Sequence, residues 1–393
     1  MIATAPAPAG AANQAPVSGS DPGTDTAFGC RGAGWAPVLG AYLLSRLVVL
    51  AGAVAAALHW GRAGLVWKVL GTWDGRWYLD LARHGYPAAV PAGTGAAAQS
   101  TLAFFPLYPL AVRVTAAVLP IGELGAALVL SLVAGAAACL AVRDVAAVVL
   151  GEGRANRAAV AFTFFPGAFI LSMVYAEGLT IALAAVSLAA LLRRRWWLAG
   201  ITAGLATACR PNAVALVAAC AVAAVAHVRA GRDRRELRPL ALAPGGLMLT
   251  MAVLWIRTGS PLVWLDAERA GWRQTFDAGL TTVRTMGSFL TGPVRDADTL
   301  VVGLGVVAVF VLGRALWKQR PPAVLTAYVA VVLALCYASS SLNGRPRFLL
   351  TAFPLVFPVA ILSRRAYVGV VAASAVAMAI MMWFVGSHPR WAA

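Results

Sequence analysis

A dense group of acids, bases and aromatic residues follows the first apolar run of the chain. It reads GTWDGRWYLDLARHGYP over residues 71–87, and Trp73 directly precedes Asp74. If a helix begins at that acid, Trp77 and Tyr78 share its face, since they lie three and four residues further on. Aromatic faces give apolar contact to the C–H surface of a sugar, and a carboxylate can accept the proton of a hydroxyl group. The segment therefore predicts a site for a polar substrate, with Asp74 as catalytic base and the three aromatic residues as substrate contacts.

The same segment has a second interpretation, which the sequence leaves open. Trp and Tyr side chains anchor helices at the level of the lipid headgroups. An aspartate at the start of a helix also caps free backbone N–H groups. On this interpretation residues 71–87 form an interfacial helix that binds no substrate.

A second acid lies in a very short turn between two apolar runs. The segment FFPGAFILSMVYAEGL, residues 164–179, places Tyr175 and Glu177 at this turn. A carboxylate within the membrane is costly unless it is paired or near water. Both residues are therefore candidate substrate contacts, although a simple loop acid would give the same pattern.

Three arginines stand beside prolines at the ends of apolar runs. Arg210 occurs in ACRPN, and Arg345 and Arg347 occur in SSSLNGRPRFLL. A guanidinium group can grip phosphate oxygens through two parallel hydrogen bonds, so these side chains could hold a lipid-linked phosphate. Arginines near span ends also extend towards the headgroups without binding a substrate, and that alternative stays open here. Arg46 lies near the inner end of the first run, and for this residue we favour an arginine that extends towards the headgroups without binding a substrate.

The spacing of metal-binding residue types predicts no metal site. The four histidines are far apart, and the five cysteines include no CxxC pair. Three acids, Asp74, Asp80 and Glu177, could nevertheless converge on a divalent cation in the folded chain. A divalent cation is therefore the one cofactor that the sequence leaves open.

A membrane-embedded scaffold must position these residues. The chain of 393 residues is 61% hydrophobic and 12% charged, which is too apolar for an ordinary soluble domain. Because a helix needs about 20 apolar residues to cross the hydrocarbon core, we predict an all-α, polytopic transmembrane bundle with about eleven spans. They lie near 42–58, 124–142, 158–174, 176–192, 197–209, 213–228, 240–256, 299–313, 323–338, 348–362 and 366–385. Residues 102–119 contain two prolines and an arginine, and we predict a re-entrant or interfacial helix there.

Basic clusters in short loops orient the bundle, because such loops stay in the cytoplasm. With the amino terminus inside, five clusters fall on the cytoplasmic side, at 143–157, 193–195, 229–238, 314–320 and 364–365. The candidate site residues and the long loops near 61–103 and 258–298 then face outward. Residues 1–34 are rich in Ala, Pro and Gly and predict a disordered cytoplasmic tail. Residues 35–393 are predicted to form a single transmembrane catalytic domain.

The formal net charge of +17 does not indicate nucleic-acid binding. The basic residues are scattered in short clusters between apolar runs instead of lying along one face. No Gly-rich phosphate loop follows a strand, which disfavours a cytoplasmic nucleotide enzyme. Membrane lipids are therefore expected partners, and nucleic acid is not.

Four motifs together resemble a known family. WDGRWYLDLARHGYP, AFFPLYP, FPGAFILSMVYAEGL and NGRPRFLLTAFPL occur in this order between the first apolar run and Pro358. The set resembles the bacterial PIG-V-like mannosyltransferases, members of the GT-C class of membrane glycosyltransferases. Each motif is short, but their order and their shared outward side make the set specific.

The resemblance implies a GT-C-like fold whose first extracytoplasmic loop carries the catalytic acid, here Asp74 in the WD pair. It implies a polyprenyl-phosphate sugar donor, typically mannose-linked, and a glycolipid or glycan acceptor. Asp74 would take the proton of the acceptor hydroxyl while the sugar carbon inverts, and the arginines would offset the charge of the leaving phosphate. The Ala- and Arg-rich composition is typical of a bacterial, in particular an actinobacterial, multi-pass plasma-membrane protein.

The alternative from another class is a transporter or flippase of a lipid-linked substrate. Such a protein should show two halves of matching hydropathy and helices broken near the middle of the bilayer. The sequence shows neither, and its polar residues gather at the outer rim. An acyl or phosphoryl transferase would need a His, Ser or metal-binding cluster, which the histidine spacing does not provide.

Overall fold

The computed structural model describes residues 34–61, 66–292, 297–340 and 345–387, and these belong to one compact unit. The predicted tail at 1–34 lies outside them apart from Gly34, so it stays a prediction. The described residues form sixteen α-helices and no strand, which confirms the all-α prediction. The helices are α1 Ala36–His59, α2 Val66–Leu70, α3 Asp74–His84, α4 Leu107–Val118, α5 Gly122–Leu150, α6 Glu152–Thr163, α7 Glu177–Leu192, α8 Trp196–Cys209, α9 Ala215–Arg229, α10 Gly245–Thr258, α11 Val263–Trp272, α12 Leu280–Thr291, α13 Ala297–Lys318, α14 Ala323–Tyr337, α15 Arg345–Thr351 and α16 Arg364–Ser387.

Six of the described helical segments are long and apolar enough to cross a membrane. A seventh crossing results if one bent pair is counted as a single span. The six are Ala36–His59, Gly122–Leu150, Pro211–Arg229, Arg234–Thr258, Thr299–Lys318 and Arg364–Ser387. Helices α4, α8 and α14 are apolar but shorter. The figure of eleven spans therefore stays a prediction.

Two of the predicted spans are not continuous helices, and prolines explain both breaks. Helix α6 ends at Thr163, because Pro166 lacks an N–H donor and disfavours helix in the residue before it. The 3₁₀ segment Pro166–Ser172 follows and meets α7 at 108°. In the same way α15 gives way to the 3₁₀ segment Phe353–Ile361, which contains two prolines. Each break brings a loop and its polar groups into the bundle.

Arg46 ties one of these breaks to the first helix. Its Nη1 donates to the carbonyl oxygen of Ala168 at 2.9 Å and to the hydroxyl of Ser172 at 3.0 Å. The side chain is 8% exposed, so the interpretation of Arg46 as a residue that extends to the headgroups is wrong. A broken helix leaves carbonyl groups without backbone partners, and inside an apolar bundle these must be hydrogen-bonded.

Candidate functional site

Asp74 begins α3, which is the helix start that the sequence left as a hypothesis, and it lies at the centre of the site. Its backbone N–H donates to the hydroxyl of Tyr175 at 3.1 Å. Its side-chain Oδ2 accepts a hydrogen bond from Nη1 of Arg347 at 2.5 Å. The tyrosine therefore holds the backbone of Asp74 at the start of α3, and the arginine holds its carboxylate.

The residue before Asp74 has an unusual backbone. Trp73 has a φ of 63°, in the region that favours glycine, and bulky residues are rare there. Its indole Nε1 donates to the carbonyl oxygen of Val385 at 3.2 Å, which joins the turn to α16. Such strain is typical of functional sites, because the surrounding fold must hold the residue in place. The strained turn fixes the start of α3 and therefore the position of the Asp74 carboxylate.

Arg347 lies in α15, a short helix packed against the broken segment after α6. Its guanidinium carbon is 4.8 Å from the ring centre of Phe348 and 5.2 Å from that of Tyr175. Its Nε is buried and has no hydrogen-bond partner among the described residues. The arginine is therefore held by two rings and one carboxylate and keeps donor capacity for an anion.

A second ion pair lies beside the first. Glu177, the first residue of α7, is 0% exposed, and its Oε1 is 2.7 Å from Nη1 of Arg210. The same Nη1 is 3.5 Å from the hydroxyl of Tyr78. Neither carboxyl oxygen of Glu177 has a well-aligned hydrogen-bond partner among the described residues. The pair is thus held by charge contact, and Glu177 keeps a buried cation at the end of α8.

A cavity of about 380 Å³ opens between these groups. Four sequence-predicted site residues line it, namely Asp74, Tyr78, Arg210 and Arg347. Other polar and aromatic lining residues are Phe104, Phe105, Asn212, Trp264, Glu268, Trp272, Gln274, Ser339 and Phe348. The cavity combines apolar walls with a few convergent polar groups, which is the usual composition of a small-molecule site.

One wall of the cavity comes from a helix that the sequence analysis did not single out. Trp264, Glu268 and Trp272 lie on α11 at spacings of four residues and so share one face. The long loop at 258–298 drew attention only through its arginines, whereas this aromatic–acid–aromatic spacing was the signal that could have identified the wall. Burial and the neighbouring charge of Asp74 raise the pKa of Glu268 to about 8. Glu268 therefore holds its proton at neutral pH.

Comparison with models of protein families shows to which family the chain belongs. A family profile described as mannosyltransferase (PIG-V) matches residues 39–243, which is more than half of the chain. The chain belongs to the PIG-V mannosyltransferase family. The matched range includes Asp74, Glu177 and Arg210 and ends before α11 and Arg347. No curated protein sequence matches the chain.

Two solved structures were found to be similar to this PIG-V family member. ArnT from Cupriavidus metallidurans, bound to undecaprenyl phosphate, matches with a TM-score of 0.53 and 14% identity, over 88% of this chain and 62% of ArnT. The apo oligosaccharyltransferase of Archaeoglobus fulgidus matches with a TM-score of 0.49 and 12% identity, over 92% of this chain and 57% of that protein. The chain thus spans less than two thirds of the length of either. The likeness to ArnT shows the GT-C fold that the resemblance implied.

Trp73, Trp77, Tyr175 and Glu177 are described in this PIG-V family member but do not line the cavity. Glu177 and Tyr175 contact the two arginines, as described above. Trp77 stacks on Phe104 at 6.4 Å and meets the edge of Trp272 at 5.9 Å. The indole of Trp73 is directed to α16. Arg345 is the first residue of α15, and its side chain lies outside the described residues.

The three acids that could have converged on a cation have separate partners. Asp74 pairs with Arg347, Glu177 with Arg210, and Asp80 with His84 at 2.8 Å on the exposed side of α3. In the part of the chain that the structure describes, no three His, Cys, Asp or Glu residues are close enough to hold a metal ion. The described side chains alone therefore do not complete a metal site.

Proposed function

We propose that this PIG-V family member is an extracytoplasmic glycosyltransferase. It moves a hexose, most simply mannose, from a polyprenyl-phosphate donor to a lipid or glycan acceptor, with inversion at the sugar carbon. The observation that carries the proposal is the convergence of one carboxylate, Asp74, and two arginines, Arg210 and Arg347, on a single cavity. Transfer of a sugar from a phosphate needs both a base for the acceptor hydroxyl and positive charge for the leaving phosphate.

The geometry supports a direct displacement. An acceptor oxygen attacks the anomeric carbon while Asp74 removes its proton, and the bond from that carbon to the phosphate oxygen breaks. The phosphate leaves as an anion, so no strong general acid is required. Arg347 and Arg210 offset the charge that the phosphate gains, and the buried surroundings strengthen this effect.

The donor class follows from the shape and charge of the site. A phosphate between two guanidinium groups, beside a cavity in a membrane bundle, suits a lipid-linked sugar better than a soluble nucleotide sugar. ArnT, the GT-C protein with the higher TM-score of the two, is bound to undecaprenyl phosphate. A polyprenyl phosphate is therefore the carrier that we propose here, and a glycolipid or glycan is the acceptor.

The helix directions support an outward-facing site in a plasma membrane. Helix α7 begins at Glu177 and ends just before Arg193, and α8 returns from Arg195 to Arg210. Helix α9 then runs from the site to the basic residues at 229–238. The site and the arginine-rich loops thus lie at opposite ends of three successive helices. Because short basic loops stay cytoplasmic, the site belongs on the outer side of what we propose is a bacterial plasma membrane.

A divalent cation fits this proposal only if the donor phosphate supplies some of its ligands. The Asp74 carboxylate lines the cavity, and Mg²⁺ is commonly held by one or two carboxylates together with substrate phosphates. Oxygens of the donor phosphate would have to complete such a site. Turnover measured before and after exhaustive chelation tests whether the reaction needs a divalent cation.

The transporter alternative gains no support from the broken helix. The segment at Pro166–Ser172 is bent against α7, as transporters often show. Its freed carbonyl at Ala168 is bound to Arg46, which does not line the cavity. The break therefore serves packing and places α15.

The test uses the full-length chain purified in detergent, with polyprenyl-phosphate mannose and a lipid extract of the source membrane. Mass spectrometry should show one lipid that gains a hexose. Asp74→Asn should lower turnover by about 10²- to 10⁴-fold, whereas Asp80→Asn, on the exposed side of the same helix, should not. Equal turnover in Asp74→Asn would remove the base, and flux without any sugar transfer would favour a transporter.

A further inference from the structure

Helix α11 carries three cavity-lining side chains whose role the proposed reaction leaves unassigned. Trp264, Glu268 and Trp272 are one helical turn apart and form a continuous strip on the cavity wall. They lie on a different element from Asp74, Arg210 and Arg347. The cavity therefore has one side with Asp74, Arg210 and Arg347, which also carries the rings of Tyr78 and Phe348, and one side built by α11 with two indoles and a carboxyl group.

The two indoles of this strip are fixed without any ligand. Trp264 donates from Nε1 to the carbonyl oxygen of Ala103 at 3.3 Å, and its ring meets the edge of Phe105 at 5.9 Å. Trp272 meets the edge of Phe104 at 5.6 Å. Gly271 brings the helix against the preceding loop, since a Cβ there would be 3.0 Å from Cα of Gln99. Rigid aromatic walls bind a ligand with little loss of side-chain freedom.

Between the indoles, the carboxyl group of Glu268 is unused. It makes no hydrogen bond or ion pair with any described side chain. The charged groups that act on it are Asp74, Arg210 and Arg347. The two 3₁₀ turns packed against α11, Gly95–Ala98 and Thr101–Ala103, carry no charge, and Arg257 on α10 is bound to the carbonyl of Tyr86. A partly buried carboxyl without a partner is free to bind a ligand.

This arrangement suits a sugar ring and does not suit a phosphate. An ionised carboxylate would repel a phosphate and a protonated carboxyl has no positive charge to hold one, whereas hydroxyl groups both donate to and accept from a carboxyl group. Apolar faces on either side match the C–H surfaces of a pyranose. The two sides of the cavity thus correspond to the two parts of a sugar phosphate.

We propose that Trp264, Glu268 and Trp272 form the subsite for a hexose ring, and that Glu268 selects the sugar by hydrogen-bonding its hydroxyl groups. This inference rests on the proposed function and names a specificity residue for it. The donor sugar and a sugar on the acceptor present the same ring chemistry to this subsite, and the experiment below distinguishes them. In its protonated form the Glu268 carboxyl offers both a donor and an acceptor.

The experiment measures hydrolysis of polyprenyl-phosphate mannose by the full-length chain, with no acceptor added. Two competitors separate the parts of the substrate, namely methyl α-mannoside, which lacks a phosphate, and undecaprenyl phosphate, which lacks a sugar. The variants are Glu268→Ala, Glu268→Gln and the matched control Asp266→Asn, an exposed acid on the same helix. The conservative glutamine variant guards against misfolding.

For Glu268→Ala we expect about a tenfold rise in the donor KM or in the inhibition constant of methyl α-mannoside. The inhibition constant of undecaprenyl phosphate should stay within about twofold, as should every constant of Asp266→Asn. Glu268→Gln keeps one hydrogen-bond donor and one acceptor, so its rise in the sugar constants should be smaller than that of Glu268→Ala. A change in the donor KM assigns the ring to the donor. A change confined to methyl α-mannoside assigns it to the acceptor.

The inference is overturned if neither sugar constant moves, or if undecaprenyl phosphate weakens as much as the sugar does. It is also overturned if Asp266→Asn reproduces the effect. Failure of the proposed function looks different, because the unmodified chain would then hydrolyse no polyprenyl-phosphate hexose at all.

Discussion

Arg347 donates a hydrogen bond of 2.5 Å to the carboxylate of Asp74, across 273 residues of sequence. The proposed base is thus in contact with a proposed phosphate ligand. While this contact lasts, Oδ2 of the carboxylate is occupied by the guanidinium group and is not available to an acceptor hydroxyl. A donor phosphate that draws the guanidinium towards itself would release the base, so that donor binding prepares the site for the acceptor.

Arg347→Lys keeps the charge but loses the planar fork. We expect turnover to fall about 10²-fold, because a single ammonium group cannot serve the phosphate and the carboxylate together. Arg347→Ala should also weaken inhibition by undecaprenyl phosphate. Arg83→Lys, in an exposed pair with Glu123, is the matched control and should be neutral. Unchanged inhibition by undecaprenyl phosphate in Arg347→Ala would argue against a phosphate role.

The sequence predicted the all-α bundle from its long apolar runs, which are a local pattern. It offered a helix start at Asp74 as one hypothesis, and α3 begins there. It did not reveal which predicted residues face the cavity. Whether Glu177 binds a substrate or supports Arg210 depends on the packing of α7 against α8, which no local pattern records. The wall from α11 was missed because its segment is short and only moderately apolar.

Gly167 is the residue that lets α15 approach the broken segment after α6. A Cβ at this position would overlap the carbonyl oxygen of Pro346, directly before Arg347. We expect Gly167→Ala to displace α15 and to lower turnover, since sub-ångström misplacement of a binding group is costly in rate. Gly369→Ala, where a Cβ meets open space within α16, should leave turnover unchanged. Turnover and the thermal midpoint in detergent measure both; wild-type turnover in Gly167→Ala would contradict the positioning role.

Glu177→Gln tests the second ion pair. The carboxylate is fully buried, and its removal leaves the charge of Arg210 without a counter-ion inside the bundle. Breaking such a pair costs roughly 3–5 kcal/mol, so we expect a clear drop in thermal midpoint. Glu123→Gln breaks an exposed pair and should not change the midpoint. If both variants unfold at the same temperature as the wild type, the pair does not stabilise the fold, and a direct substrate role for Glu177 gains weight.

The pKa of Glu268 predicts a pH dependence with a definite sign. The folded chain raises this pKa to about 8 from an ordinary value of 4.5, because the carboxyl is buried and faces Asp74. Between these two values the folded form holds a proton that the unfolded form releases, so the contribution of Glu268 makes stability fall as pH rises from about 4.5 to 8. Glu268→Gln stays neutral at every pH. The difference between its thermal midpoint and that of the wild type should therefore shift in favour of the variant as pH rises across this window. The thermal midpoint of Asp266→Asn, a variant on the exposed side of α11, should change with pH in the same way as that of the wild type. A difference between Glu268→Gln and wild type that is constant from pH 5 to pH 9 would show that the Glu268 carboxyl titrates near its ordinary pKa.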